Sequence, residues 1–293
     1  MSALLQLTKT VVLSSGLKLG LAISGRTNGL PIVFFHGLGA SRQVVHPDAS
    51  LADTQNAQII SFDRPGIGLS DNRGAYSLQD FADNVAEALS LLDIKGKVSV
   101  LGWSGGGAYA LAFAQRFPQL VRNVGLANSC IPFYGLGAKK VLTSHWKAIR
   151  WLNNNTPWLS RLFFRNICRK IKKSPEKIIS RTMENLPAPD RTLLFLNPKL
   201  ATMFQQAVLD VYAQGAEGIY HDARAISGAW GFHLEDITVP TYQWHGSLDK
   251  LWPLSAAYFL DQRLPHNTLK IFKNEAHLLY LNHWQEIIKT LQS

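Results

Sequence analysis

The sequence predicts an α/β fold: a mostly parallel central sheet flanked by helices and interrupted by one helical insertion. Three observations lead there. Apolar runs such as Pro31-Ile32-Val33-Phe34-Phe35 and Gln58 to Phe62 have the length of strands but no polar alternation, which fits strands covered on both faces. Segments of helical periodicity lie between such runs, and strands that alternate with helices form parallel crossovers. From Ser129 to Glu235 the pattern changes to few β-branched runs, many aromatic and basic residues and repeated prolines at 157, 175, 187, 189 and 198. The expected division is therefore a core of residues 1–128 and 236–293 and a helical insertion of residues 129–235.

In chain order, Gln6 to Leu13 and Leu17 to Ile23 flank Ser14-Ser15-Gly16 and read as a β-hairpin, with Leu17, Leu19, Leu21 and Ile23 alternating with Lys18, Gly20 and Ala22. Ser77-Leu78-Gln79-Asp80 has the form of a capping box, and Phe81, Val85, Ala88, Leu89 and Leu92 keep helical spacing after it, which predicts a helix from about Leu78 to Leu92. Val98 to Leu101 is a strand, Gly102 to Gly106 a tight turn, and Ala108 to Phe117 a helix stopped by Pro118. Strands are expected again at Val121 to Ala127, Val239 to Trp244 and Thr268 to Phe272, and Trp284, Ile287, Ile288 and Leu291 mark a terminal helix.

Composition places the chain of 293 residues in the ordinary globular class, with 46% hydrophobic and 17% charged residues. Cys130 and Cys168 show neither metal-ligand nor disulfide spacing and are read as packing residues. The segment Met1 to Gly25 lacks the pattern of a secretion signal, and no window approaches the length of a membrane span, so a cytoplasmic location is expected. The net charge is +10, but Lys139 to Arg181 alone holds twelve basic residues and one acid, Glu176, so the excess sits inside the insertion. No nucleic-acid recognition motif accompanies it, and nucleic acid is not expected as a partner.

Gly102-Trp103-Ser104-Gly105-Gly106 is a G-x-S-x-G turn seated between an apolar strand and an Ala-rich helix. Glycines around the serine let a strand turn abruptly into a helix with the hydroxyl at the apex, and the helix N-terminus behind it offers free amides to an oxyanion. A serine needs a base, and the base needs a carboxylate to fix its tautomer. Among nine histidines, His277 follows the last expected strand at its C-terminal end, where α/β sheets gather their sites. His36 and His245 each precede a glycine at a strand end and read as structural; His46, His145, His221, His233, His266 and His283 have no such placement. Asp249 lies in the loop after the penultimate strand and completes the order Ser, Asp, His. The alternative acid position, after the strand that follows the nucleophile helix, reads Ala127-Asn128-Ser129 and holds no carboxylate. Asp63 and Asp71 are assigned to loop structure.

The chain resembles the α/β-hydrolase fold family, in its serine-nucleophile, esterase-like branch. His36-Gly37-Leu38-Gly39 is similar to the family's oxyanion loop, Asp63-Arg64-Pro65-Gly66-Ile67-Gly68-Leu69-Ser70 to its D-x-[RP]-G-x-G-x-S segment, Gly102 to Gly106 to its nucleophile elbow, and His245-Gly246-Ser247-Leu248-Asp249 to its acid loop. The resemblance implies oxyanion donors at the Leu38 and Gly105 amides and a helical cap over the site. Serine at position 104 argues against the dehalogenases and epoxide hydrolases of the fold, which use Asp there, and the extended elbow of proline iminopeptidases is absent. The expected activity is hydrolysis of a carboxylic ester or similar acyl bond of a small to medium apolar substrate, with no cofactor or metal. Carbon–carbon bond or lactone hydrolysis on the same triad, and a non-hydrolytic receptor, are the alternatives. Trp103, Phe133 and Trp230 are expected to line the substrate pocket. The aromatic and basic insertion has three readings: solvated cations over aromatics buried toward the cleft, a surface that touches anionic lipid, or a site for substrate anions.

Overall fold

The computed structural model describes residues 7–293, and Gln6, where the first strand was expected to begin, lies outside them. The strands are β1 Leu7–Val12, β2 Lys18–Gly25, β3 Leu30–Phe35, β4 Ala57–Phe62, β5 Val98–Trp103, β6 Val121–Ala127, β7 Thr241–Gly246 and β8 Asn267–Phe272. They form one sheet in the order β1-β2-β4-β3-β5-β6-β7-β8. Only the β1–β2 and β2–β4 pairs are antiparallel; the other five are parallel. The longer helices are α1 Leu78–Leu91, α2 Gly106–Arg116, α3 Ser144–Asn155, α4 Pro157–Lys173, α5 Pro175–Glu184, α6 Ala188–Leu196, α7 Pro198–Ala213, α8 Glu217–Ser227, α9 Leu254–Asp261 and α10 Trp284–Leu291.

Local chemistry accounts for most element ends. The Ser77 hydroxyl accepts from the Asp80 amide at 3.1 Å and the Asp80 carboxylate accepts from the Ser77 amide at 2.8 Å, which closes the capping box of α1. Within the helical stretch, Pro157, Pro175 and Pro198 each open a helix. There a missing N–H removes no hydrogen bond and a fixed φ favours the first turn. Prolines that read as breaks in the sequence are thus helix starts.

Two expectations shift. The strand expected at Val239 to Trp244 runs from Thr241 to Gly246. Pro240 has no N–H to give to a ladder, and its carbonyl instead accepts from Val124 at 2.9 Å as the strand begins. The far end extends because His245 and Gly246 pair with Ile271 and Phe272 of β8, and the buried His245 ring meets the Trp252 carbonyl at 2.8 Å. In β2 the alternation does not mark a wet face. Gly20 and Ala22 are both buried, and Gly20 lies against the Asp63–Ser70 loop, where a Cβ would come 2.5 Å from that of Leu69.

Between β6 and β7 the chain is helical from Ala138 to Ser227. It is fastened to the loops at the C-terminal ends of the strands by charge. Arg42 lies between Asp63 at 2.6 Å and Asp210 of α7 at 3.1 Å. Deeper in, the fully buried Arg64 pairs with Asp222 of α8 at 2.7 Å, and Tyr109 of α2 donates to the other oxygen of Asp222 at 2.8 Å. The Arg64 guanidinium also lies 4.8 Å from the centre of the Tyr109 ring.

A charge left unpaired in such a place cannot be recovered by solvent. Asp222→Ala is expected to cost about 3–5 kcal/mol of stability in urea unfolding. Asp83→Ala, which breaks the half-exposed pair with Arg116 on the surface, is expected to cost less than about 1 kcal/mol.

Candidate active site

Ser104 sits at the turn from β5 into α2 with φ at +54°, a region costly for residues other than glycine. The turn is held from outside: the Ser104 amide donates to the Ala127 carbonyl and the Cys130 amide donates to the Ser104 carbonyl, both at 3.0 Å. A Cβ on Gly102 would come within 2.6 Å of the Gly106 carbonyl oxygen, and one on Gly106 would overlap the Phe35 carbonyl. Only glycines let strand and helix approach this closely.

His277 and Asp249 are joined at 2.8 Å through Nδ1 and Oδ2. A carboxylate at Nδ1 requires that nitrogen to carry the proton, which leaves the lone pair of the neutral ring on Nε2. Asp249 is saturated. The Asn128 side-chain amide donates to Oδ2 at 2.6 Å, and the Leu251 and Trp252 amides donate to Oδ1 at 2.8 and 3.1 Å. Burial opposes its charge, but His277, with smaller contributions from His245 and the Trp252 amide, outweighs burial and holds its carboxyl below the ordinary value. For His277 burial likewise opposes the charged form, and the Asp249 carboxylate, with a further contribution from Asp190, lifts the imidazole above its ordinary value.

Asp190 has no counterpart in the sequence reasoning. It lies in the first turn of α6, buried, and its two oxygens accept from the His277 and Leu278 amides at 3.0 Å each. Burial raises its own carboxyl pKa. Trp103 adds a third hold on this loop, its indole donating to the His277 carbonyl at 2.9 Å. No local motif links Asp190 to a loop 87 residues away. Asn128 was visible as the residue in the vacant acid position, but not as a donor to the acid that replaced it.

On the other side of Ser104, Arg64 donates to the His36 and Gly37 carbonyls at 2.7 and 2.8 Å. Leu38 and Gly105 are neighbours here: a Cβ on Gly105 would lie 3.0 Å from the Leu38 nitrogen. Neither the Leu38 nor the Gly105 amide donates to a protein acceptor among the described residues. His36 and His245 are buried, and burial lowers both imidazoles below the ordinary value.

Leu38, Trp103, Ser104 and His277 share the wall of a cavity of about 400 Å³, whose remaining surface comes largely from α3 to α8. Among the described residues no Asp, Glu, Lys or Arg lines it, so the basic residues of the helical stretch do not point a cation at a bound molecule there. Of the three expected pocket residues, Trp103 lines this cavity and Phe133 and Trp230 do not. Phe133 packs edge-on against Trp146 and Trp252, and the Trp230 indole donates to the Ile226 carbonyl at 2.9 Å within the main core. His145, passed over in the sequence, does line the cavity. No cluster of three or more potential metal ligands occurs among the described residues.

Residues 31–283 match the alpha/beta hydrolase fold family. The chain belongs to that family. It is 25% identical over 260 residues to a pimeloyl-[acyl-carrier protein] methyl ester esterase of Legionella pneumophila, covering 87% of this chain and 90% of the relative. It is 27% identical over 261 residues to a poly(3-hydroxyalkanoate) depolymerase of Ectopseudomonas oleovorans, covering 88% and 81%. Among solved structures, an esterase from Exiguobacterium antarcticum superposes with a TM-score of 0.74 at 19% identity, over 98% of this chain and 100% of that one. With the fold and hydrolase relatives spanning most of its length, this chain is a hydrolase.

The His277 ring is expected to titrate above the ordinary value of about 6.5 when followed by NMR of its ring protons. Asp190→Asn removes a neighbouring negative charge and should move that titration to lower pH; an unchanged midpoint would mean that Asp190 does not act on the ring.

Proposed function

We propose that this hydrolase cleaves carboxylic esters of small to medium apolar substrates through Ser104, His277 and Asp249. The observation that carries the reading is the saturated Asp249–His277 pair at 2.8 Å, beside a strained serine that shares with His277 a cavity lined by no Asp, Glu, Lys or Arg among the described residues. Ser104 Oγ attacks the ester carbonyl as His277 Nε2 takes its proton, and the carbonyl π electrons move onto oxygen. The Leu38 and Gly105 amides, neighbours with no protein acceptor among the described residues, donate to that oxyanion; such a donor typically lowers the barrier by about 3 kcal/mol. The tetrahedral intermediate collapses to the acyl-serine, and His277 protonates the departing alkoxide. Water then attacks with His277 as base, releasing the acid and regenerating Ser104.

Residues 129–235 act in this reading as a cap that shapes the acyl site. That no Asp, Glu, Lys or Arg lines the cavity among the described residues favours a neutral substrate, since a buried charge without a partner is strongly disfavoured. A methyl ester esterase among the relatives supports ester chemistry without fixing the acyl group.

The test is turnover of p-nitrophenyl esters from acetate to palmitate by the native protein and Ser104→Ala. Native turnover is expected on at least part of the series, with a loss of at least about 10³-fold in the variant. Equal activity in both proteins would refute Ser104 as nucleophile, and no native turnover on any chain length would refute the esterase reading.

A further inference from the structure

Helix α4 is apolar on more of its circumference than its packing uses. Phe164, Cys168 and Ile171 face inward. Yet on the outside Trp158, Leu159, Leu162 and Phe163 are 65, 40, 48 and 49% exposed. At about 100° per residue these four fall within about 140° of one another, and Asn166, Arg169, Lys170 and Lys173 continue the same face toward the helix C-terminus. Scattered exposed apolar residues are ordinary, but a contiguous stripe marks a contact surface.

The cations divide by position. Arg161 and Arg165, on the flank of the stripe, are held by Glu217 of α8 at 2.8 and 3.1 Å. Arg169, Lys170 and Lys173 are exposed and have no acidic partner within ion-pair distance among the described residues. The outer face is therefore an apolar half followed by an unneutralised basic half. Phe163 connects this surface to the interior: it is half exposed, yet it lines the cavity, and its ring packs edge-on against buried Phe164 at 5.3 Å.

We propose that the outer face of α4 docks on an anionic lipid surface, with Trp158, Leu159 and Leu162 in the interfacial layer and Arg169, Lys170 and Lys173 against the headgroups. An amphipathic helix of this kind lies in the plane of the interface, and clustered Lys and Arg select negative lipids. No helix among the described residues is long and apolar enough to cross a membrane, so the contact is made at the surface. A second copy of the chain is a poor occupant, because a two-fold pairing of this face sets the cations against each other if the helices run parallel and against the partner's apolar half if they run antiparallel, and neutralises them in neither. On the esterase reading, Phe163 puts the cavity beside the lipid, and an apolar ester passes from one to the other without crossing water.

The test is co-sedimentation with vesicles of phosphatidylcholine alone and of phosphatidylcholine with phosphatidylglycerol. The native protein should sediment with the mixed vesicles and not with the neutral ones. Trp158→Glu/Leu162→Glu and, separately, Arg169→Gln/Lys170→Gln/Lys173→Gln should each weaken binding at least about tenfold. None of these positions lines the cavity, so hydrolysis of a dissolved short ester should stay within about twofold of native, and circular dichroism checks that the variants fold. Equal sedimentation with both vesicle types, binding unchanged in either variant, or a concentration-dependent dimer abolished by the Glu variant would overturn the proposal. Absence of dissolved-ester turnover in the native protein would instead count against the esterase reading and leave the vesicle result to stand on its own.

Discussion

Arg64 holds a full positive charge where no water reaches it, and the geometry around Ser104 depends on how that charge is satisfied. Its guanidinium takes the Gly37 carbonyl at 2.8 Å. That carbonyl belongs to the same planar peptide as the Leu38 N–H, and in a trans peptide the two point in opposite directions. Pinning the oxygen to Arg64 therefore aims the Leu38 amide away from it. The position of one proposed oxyanion donor is thus set by an ion pair whose acid, Asp222, lies 158 residues further along the chain.

The helical segment between β6 and β7 returns to the strand-end loops through three carboxylates, each from a different helix. Asp190 of α6 takes the His277 and Leu278 amides, Asp210 of α7 takes Arg42, and Asp222 of α8 takes Arg64. Two of these acids end on opposite sides of Ser104, one on the His277 loop and one, through Arg64, on the loop of His36 and Gly37. A displacement of the helices would carry both loops with it, so the helical segment and the site form one mechanical unit.

What could be read from the sequence was what local chemistry determines. The capping box of α1, the glycines of the elbow and the order Ser104, Asp249, His277 all depend on residues close in the chain or on the regular alternation of strand and helix. The family resemblance rested on such local motifs and the family match agrees with it. Phe133 and Trp230 were misplaced because which aromatic faces a cavity depends on how several helices pack together, and both found core partners instead. The exposure of Trp158 and Phe163 was hidden for the same reason: periodicity defines the faces of α4 but not which face finds a partner. Asp190 gave no signal, since its partners are backbone amides, which every residue except proline carries.

The left-handed turn at residue 104 also restricts which side chains that position can hold. β-branched residues are the least tolerant of positive φ, so threonine, the other hydroxyl amino acid, is disfavoured there despite carrying a similar group. Aspartate and asparagine enter this region far more readily. The backbone thus admits a change from hydroxyl to carboxylate more easily than a change from one alcohol to the other, so the turn, independently of the reaction, limits which side chains position 104 can hold.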